Sequence, residues 1–492
     1  MKKIDSIIVV GGGTAGCIAA LMLRLKYQDK EIKLIKSSNV GIVGVGESST
    51  EHWLEFCKFV GLPLLEVVAK CNATFKIGVY FKNWADEDFM HMIGHPHSRT
   101  VGSYYINYAD LISNERPNKE LQSPLTWENK FTLSYFNHDC DSPTNQFHFD
   151  TFALNQYLIE KCVSRRITVI EDDLIDATLN SDGEIQSVIS NDHEYSADFF
   201  IDCTGFAKML VHKKLGIKWK SYSEYLPLNS AIAFATDEME EYNKYTLSTA
   251  RNAGWSWTIP VQGRTGNGYV YCDRFISKDE AHREMEEAYG QKLEIAREFK
   301  FDPGRLEKAW HKNCYAVGLS QSFVEPLEAT SIGSVIQQMF VLLHCLPSYD
   351  SERCNKLVND IFDNIVDYVQ AHYLVKKENT PFWKEIKNNL KLTDSLKNLL
   401  SMWQNRLPQE VDIQCPWGMF RAISYIPILY GLKWFNIEKI RHEYEQFGPI
   451  HNITDELKHH NLSEQHAYTV GHKEIVKILS RKSNESQCRH TG

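Results

Sequence analysis

The chain opens with an abrupt change of period. Ile7-Ile8-Val9-Val10 is an unbroken apolar run, the pattern of a strand buried on both faces. Gly11 to Gly16 interrupt it with a glycine turn. Residues 15–26 (AGCIAALMLRLK) then carry helical spacing, and 31–35 (EIKLI) predict a second strand. Strand, turn, helix and strand in that order make a βαβ unit, which calls for a parallel sheet with a right-handed crossover.

The same signals return downstream. Residues 148–164 predict a helix, 167–171 and 184–190 predict strands, and 196–203 (SADFFIDC) predict a buried strand running into Thr204-Gly205. Aromatic and polar residues alternate over 255–275, as in antiparallel strands. From about 334 onward helical spacing dominates, over 334–345, 355–372, 383–402, 417–432 and 453–480. The polar end of the chain predicts a disordered tail over 481–492. No repeat, low-complexity block or Pro/Gly linker divides the chain. The expected organisation is α/β: a module over 1–345 with inserted strands, interleaved with a mainly helical module over 346–480.

Composition adds exclusions. The 492 residues carry a net charge of −9, which suggests neither nucleic acid nor an anionic membrane as partner. Lys2 and Lys3 ahead of the first apolar run imitate a signal peptide, and Thr14-Ala15-Gly16-Cys17 imitates a lipoprotein cleavage box. The run is short, follows Asp5 and enters three glycines, so a strand meeting a turn explains it better. No other stretch reaches the length of a membrane span. None of the 12 cysteines forms a C-x-x-C pair, so no metal site is expected. Cysteines inside apolar segments, such as Cys203 and Cys345, read as reduced core residues of a cytoplasmic protein. Aromatic residues make up 12%, which suits a planar ligand, although a large aromatic core accounts for most of them.

The glycine turn carries the first candidate chemistry. Gly11-Gly12-Gly13-Thr14-Ala15-Gly16 is a G-x-G-x-x-G between a strand and a helix. Gly11 allows the tight turn, Gly13 lets a pyrophosphate approach the backbone, and Gly16 lets helix and strand pack closely. The free amides at the helix start, around Thr14 and Ala15, favour the anion. Where an acidic residue usually holds the ribose, this chain has Lys36, then Ser37 and Ser38. A lysine cannot accept a ribose hydroxyl, so Ser37 or a backbone group is expected to do so. Two later segments resemble cofactor-facing turns of two-dinucleotide flavoproteins. These are Asp202-Cys203-Thr204-Gly205, and Val317-Gly318-Leu319-Ser320 followed by Glu325-Pro326-Leu327. They favour FAD over NAD.

Three segments stand out: Gly254 to Pro260, which contain W-x-W-x-I-P; Phe75-Lys76, eight residues before Trp84; and Glu325-Pro326-Leu327-Glu328-Ala329-Thr330. Together they resemble one family closely, the flavin-dependent tryptophan halogenases, through its W-x-W-x-I-P signature, the segment bearing its lysine, and its E-P-L-E-S-T stretch, with Ala329 in place of Ser. Gly44-Val45-Gly46-Glu47, Val369-Gln370-Ala371-His372-Tyr373 and Thr380-Pro381-Phe382-Trp383 are lesser matches. The likeness runs from residue 7 to about 385.

The resemblance implies an FAD-binding Rossmann-like fold of the aromatic hydroxylase superfamily. It also implies an enzyme that uses FADH2, O2 and chloride, bromide or iodide to make hypohalous acid. Lys76, not its neighbour Lys82, is then the residue that directs the oxidant to an aromatic substrate, by hydrogen bonding or as a haloamine. Glu328 takes up the ring proton or stabilises the cation. Thr330 and Ser331 offer backbone amides to the halide. Gly46, Glu47, Leu319, Ser331 and Ile332 join the glycine loop and Ser37 around FAD. Trp255 and Trp257 keep substrate away from the flavin. His91, Ile93 and Phe420 face the substrate pocket. His91 matches the family's stacking pair and Ile93 does not, so tryptophan, other indoles and phenols all stay open as free substrates. Reduced flavin is expected from a separate reductase, because no NAD(P)H-binding domain is visible. A homo-oligomer is left open. The alternative is a single-component aromatic hydroxylase on the same fold.

Overall fold

The computed structural model describes residues 3–41, 47–92, 108–117, 124–132, 144, 146–447 and 468–490. The βαβ opening forms as Ser6–Val10, Thr14–Lys26 and Glu31–Lys36. Ser6–Val10 lies between Phe199–Asp202 and Glu31–Lys36, parallel to both. Cys314–Ala316 and Thr168–Glu171 extend the sheet in parallel at either side, and Trp310–His311 closes one edge antiparallel. Side chains alternate between two cores. Ile7, Val9 and Leu34 enter the larger; Ile8, Val10 and Ile35 enter the smaller. Both faces are dry, which is why the first strand reads as continuously apolar. The loops after Val10, Asp202 and Ala316 all leave the same edge of this sheet, where parallel sheets form their ligand crevice.

A seven-stranded sheet stands beside it. Its order is Ile295–Lys300, Ser230–Thr236, Arg264–Tyr271, Gly254–Val261, Tyr245–Arg251, Gly78–Lys82 and Phe89–Met92. The alternation over 255–275 becomes the hairpin of Gly254–Val261 and Arg264–Tyr271, with Trp257 opposite Gly268. A Cβ on Gly268 would lie 2.1 Å from the Trp257 ring, so glycine is required under the indole. A three-stranded sheet, Glu47–Ser48, Gln146–Phe149 and Thr74–Lys76, holds the predicted lysine at its edge.

Helix Thr330–Cys345 packs on Thr14–Lys26, His52–Val60 and Ser351–Ala371. The span Leu327–Ser348 is long and apolar enough to cross a membrane, with mean hydropathy 1.4, contrary to the expectation that no such stretch exists. Most of it is buried inside the protein, so its apolarity is that of a core helix. Other boundaries move for local reasons. The helix predicted over 383–402 is two, Pro381–Asn389 and Asp394–Trp403, because the Thr393 side chain caps a new helix through the amide of Leu396. That predicted from 417 begins at Ala422, after a turn in which Gly418 donates to Cys415. Part of the 453–480 prediction lies outside the described residues; within the rest, Thr469–Gly471 is a strand paired with Lys130–Thr132. The tail expected over 481–492 is helical as far as His490, the end of helix His472–His490. Ile475, Val476, Leu479 and Ser483 are buried, and the helix packs on Leu64–Lys70, which gives it a tertiary anchor.

Candidate active site

The glycine loop sits at the crevice. A Cβ on Gly11 would lie 2.1 Å from the carbonyl oxygen of Cys203, and one on Gly16 would lie 1.8 Å from that of Gly11. Both positions exclude any side chain. Gly13 is different: a Cβ there meets no atom within 4 Å. Space is held open at the start of helix Thr14–Lys26, whose N-cap lacks a side-chain hydrogen bond. The Thr14 hydroxyl is buried with no protein partner. Open space, free first-turn amides and an unmatched hydroxyl fit a dinucleotide pyrophosphate. Asn155 steadies the loop by donating to the carbonyl of Gly12 at 2.8 Å. Ala15 lies under Gly318, beside Leu319, so the loops after the first strand and after Cys314–Ala316 touch.

Lys36 does not face a phosphate. Its ammonium pairs with Glu171 at 2.5 Å on the neighbouring strand. The Ser37 hydroxyl donates to Asp173 and accepts from the amides of Asn39 and Val40 at 2.9 Å each. The carboxylate missing at position 36 thus arrives from Asp173, across the sheet. Glu47 keeps one buried carboxylate oxygen without a partner, and burial pushes its carboxyl up to about 7. Gly46 and Ile93 lie outside the described residues.

Lys76 is fully buried, whereas Lys82 is exposed. Its Nζ donates to the carbonyl of Ser49 at 3.1 Å. Burial lowers its pKa to about 8, against the opposing pull of the Glu328 and Glu51 carboxylates. Glu328 is equally enclosed. Its Oε1 lies 2.7 Å from His91 Nδ1 and 3.4 Å from His372 Nε2, while Oε2 has no partner among the described residues. Burial alone would raise this carboxyl; the charges and hydrogen bonds of the two imidazoles outweigh it and hold the group below the ordinary carboxylate range. The Tyr368 hydroxyl lies 3.0 Å from His91 Nδ1, and its ring stacks on Phe420 at 3.8 Å. Glu328, His91 and Phe420 are therefore drawn into one buried cluster with Tyr368 and His372, and the charge of Glu328 reaches the buried Lys76.

The tryptophan pair is tied to the same segment. Trp255 Nε1 donates to Glu325 Oε2 at 2.8 Å, and the Tyr373 hydroxyl donates to that oxygen at 2.5 Å. Burial raises Glu325 to about 7 despite both hydrogen bonds. Trp257 lies 6.1 Å from Trp255, ring centre to ring centre. Glu325 thus anchors Trp255, while Glu328, three residues on, is held by His91 and His372. Thr330, Ser331 and Ile332 then form the first turn of helix Thr330–Cys345, whose N-cap has no side-chain hydrogen bond. Its amides can accept a small anion. Between them, Glu328 and Ala329 adopt left-handed conformations with φ of 63° and 59°. Each costs about 1 kcal/mol in a non-glycine residue.

Sequence reasoning missed the roles of Tyr368, Glu325, Asp173 and His372. A signal existed for one pair: Tyr368, in helix Ser351–Ala371, and His372, its C-cap, are four apart and so lie on one side of the helix.

A dinucleotide cradle at one sheet edge, with a buried lysine and a buried glutamate elsewhere in the same chain, marks the class as that of a flavoprotein enzyme. Residues 6–445 match the tryptophan halogenase family, and the chain belongs to that family. It is 30% identical over 465 residues to the 7-chloro-L-tryptophan 6-halogenase KtzR of Kutzneria sp. (strain 744), covering 86% of this chain and 90% of that protein. It is 30% identical to the tryptophan 7-halogenase RebH of Lentzea aerocolonigenes, covering 85% and 86% of the two chains. The solved tryptophan 6-halogenase SttH of Streptomyces toxytricini superposes with a TM-score of 0.81 at 27% identity, covering 94% of this chain and 98% of that one. The protein is accordingly a flavin-dependent halogenase, with the FAD-binding Rossmann-like fold expected of it.

Proposed function

We propose that this halogenase uses FADH2, delivered by a separate reductase, to halogenate a free, electron-rich aromatic molecule of indole, tryptophan or phenol type. Bound in the cradle, reduced FAD with O2 and a halide ion supplies hypohalous acid. Gly13 and the first turn after it hold the pyrophosphate, with Ser37 and Asp173 at the ribose. The amides of Thr330 and Ser331 receive the halide. Trp255 and Trp257 keep the aromatic substrate away from the flavin.

Lys76 directs the oxidant. An ammonium at Nζ donates a hydrogen bond to the oxygen of the hypohalous acid and polarises its bond to the halogen. The halogen–oxygen bond breaks as the halogen–carbon bond forms, the oxygen takes a proton from the Lys76 ammonium and leaves as water, and the ring carbon loses its proton to Glu328 Oε2, from which the proton returns to Lys76. Proton balance is complete: one hypohalous acid and one ring C–H give one ring–halogen bond and one water. A pKa of about 8 makes the neutral amine accessible as well, so a haloamine route uses the same residue.

The observation that carries this reading is the complete burial of Lys76 beside the charge of Glu328. A lysine kept for solubility would face water, and burial without a catalytic use is costly. The relatives KtzR and RebH, named for tryptophan substrates, support an aromatic ring as the target. The test is mass spectrometry of indole, tryptophan and a phenol, each incubated with FAD, a reductase and bromide or chloride. A halogen isotope doublet that disappears in Lys76→Ala, with FAD binding intact, is the expected result. A lone gain of oxygen, or full halogenation by K76A, would overturn it.

A further inference from the structure

Thr74–Lys76 is an edge strand, paired on one side with Gln146–Phe149. Its open edge presents the Phe75 amide, one residue before the lysine, in the protein interior. A buried amide at an open edge needs an acceptor, and among the described residues no strand supplies one. The acceptor is an imidazole: Phe75 N donates to His472 Nε2 at 2.9 Å. His472 is fully buried and its Nδ1 lies 3.1 Å from the Tyr242 carbonyl, which fixes the tautomer that leaves Nε2 free to accept. Its ring stacks on Phe75 at 5.9 Å and meets the rings of Phe131 and Tyr242 edge-on at 5.1 and 5.6 Å.

His472 is delivered by a separate part of the chain. Strand Thr469–Gly471 pairs with Lys130–Thr132, and the His472 amide donates to the Asn129 carbonyl at 2.8 Å. Helix His472–His490 then packs on Leu64–Lys70. The whole segment lies beyond residue 445, where the match to the family ends.

We propose that His472 is a positioning residue for halogen transfer, closing the open edge of the lysine strand so that the C-terminal segment fixes where the Lys76 ammonium stands. Phe75 and Lys76 are consecutive, so a slack Phe75 amide moves the base of the lysine side chain directly. Three neighbours already hold the rest of the strand. Thr74 donates to the Pro260 carbonyl at 2.7 Å, Gln262 donates to the Ala73 carbonyl at 2.9 Å, and the Ile77 amide donates to the Lys244 carbonyl at 2.7 Å. Phe75 is the point that depends on the imidazole. Burial, with the Lys244 charge nearby, lowers His472 to about 3, so it stays a neutral acceptor throughout the working pH range.

This role rests on Lys76 carrying the halogen, and the experiment separates the two. Full-length enzyme, H472L, H472Q and K76A are compared with indole, bromide, FAD and a reductase. Brominated indole is counted per O2 consumed, and escaping hypobromite is collected with a β-diketone trap. In H472L, of similar bulk but without an acceptor, product per O2 falls on the order of tenfold to a hundredfold, as for an ångström-scale misplacement of a reacting group, and the trapped fraction rises. H472Q, whose side-chain oxygen can accept from Phe75, restores coupling. A destabilised fold alone would lower brominated indole and trapped hypobromite together and leave the ratio between those two unchanged, because FADH2 left free is oxidised by O2 without making hypobromite. Should H472L fail to fold, H472N, with a shorter side chain, takes its place. Unchanged coupling in H472L or H472N, or coupling in H472Q as poor as theirs, overturns the positioning role while leaving the lysine in place. Full coupling in K76A overturns the transfer reading and this role with it.

Discussion

Oε1 of Glu328 lies 2.7 Å from Nδ1 of His91, with both side chains closed to solvent. His372 reaches the same oxygen at 3.4 Å from the other side. The carboxylate is thus divided: one oxygen is committed to two imidazoles, and Oε2 has no partner among the described residues. As a base, Glu328 works only when ionised, so activity is lost as pH falls through its pKa. The two imidazoles hold that pKa down. Removing them in H91A/H372A raises it and moves the acid limb of the kcat profile toward neutral pH. The pH dependence of turnover checks this; an acid limb unchanged from the parent enzyme would count against Glu328 as the base. Stripping partners from a buried charge also destabilises, by about 3–5 kcal/mol, so H91N and H372N are the milder companions.

Lys76 gives a stability prediction with the opposite sign to most core substitutions. Its folded pKa is about 8 against an ordinary 10.5. Below pH 8 the folded protein keeps a desolvated ammonium, and this cost is fully present. As pH rises from 8 to 10.5, the folded lysine is neutral while the unfolded one still binds a proton, so stability increases. Lys76→Met removes the cost at pH 7. At about 1.4 kcal/mol per pH unit, the expected gain is on the order of 3 kcal/mol, with halogenation abolished. Denaturant unfolding of the two proteins at pH 7 and pH 10 checks both statements: the gain shrinks at the higher pH.

The glycine loop separates fold from cofactor. Gly13→Ala puts a methyl group into space that no protein atom occupies, so thermal stability without FAD stays within a degree or two of the parent while FAD affinity drops. Gly16→Ala drives a methyl into the Gly11 carbonyl and damages the fold itself. FAD titration together with melting curves of the apoprotein distinguishes the two. Equal FAD affinity in G13A would mean that the pyrophosphate lies elsewhere.

What could be read from the sequence was local, or carried by a motif. The cradle was legible because its glycine spacing and the strand-turn-helix around it are local in the chain, and the tryptophan hairpin because alternation survives over 255–275. Lys76 and Glu328 were legible only through the segments around them. The partners of these groups were not. Glu171 is 135 residues from Lys36, Tyr368 is 277 from His91, and His472 is 397 from Phe75. Pairings at such separations are tertiary and leave no periodic trace. Glu328 and Ala329 hold left-handed backbone without a glycine to announce it. The short strand Thr469–Gly471 exists through its pairing with Lys130–Thr132, and its own three residues carry no strand pattern.

Glu325 offers a final test, of the tryptophan anchor. Its folded carboxyl titrates near 7 against an ordinary 4.5. Below pH 4.5 it is neutral in both folded and unfolded chains, and burial costs it no charge. As pH rises toward 7 the unfolded chain gives up its proton and the folded one does not, so stability is lost across that window, and the loss is complete above 7. Glu325→Gln never ionises and its side-chain oxygen can still accept from Trp255 and Tyr373. Its stability advantage over the parent enzyme therefore grows between pH 5 and pH 8, toward about 3 kcal/mol. Because the indole stays tethered, halogenation coupling in E325Q remains close to the parent value. Glu325→Ala removes the acceptor, leaves two buried donors unmatched at about 1–3 kcal/mol each, and frees Trp255 to move. Coupling then falls although neither the lysine nor the glycine loop has been touched. Melting curves at the two pH values, read beside product formed per O2 consumed, check both variants. A stability difference for E325Q that does not change with pH would remove the buried carboxyl from the account, and undiminished coupling in E325A would remove the anchor.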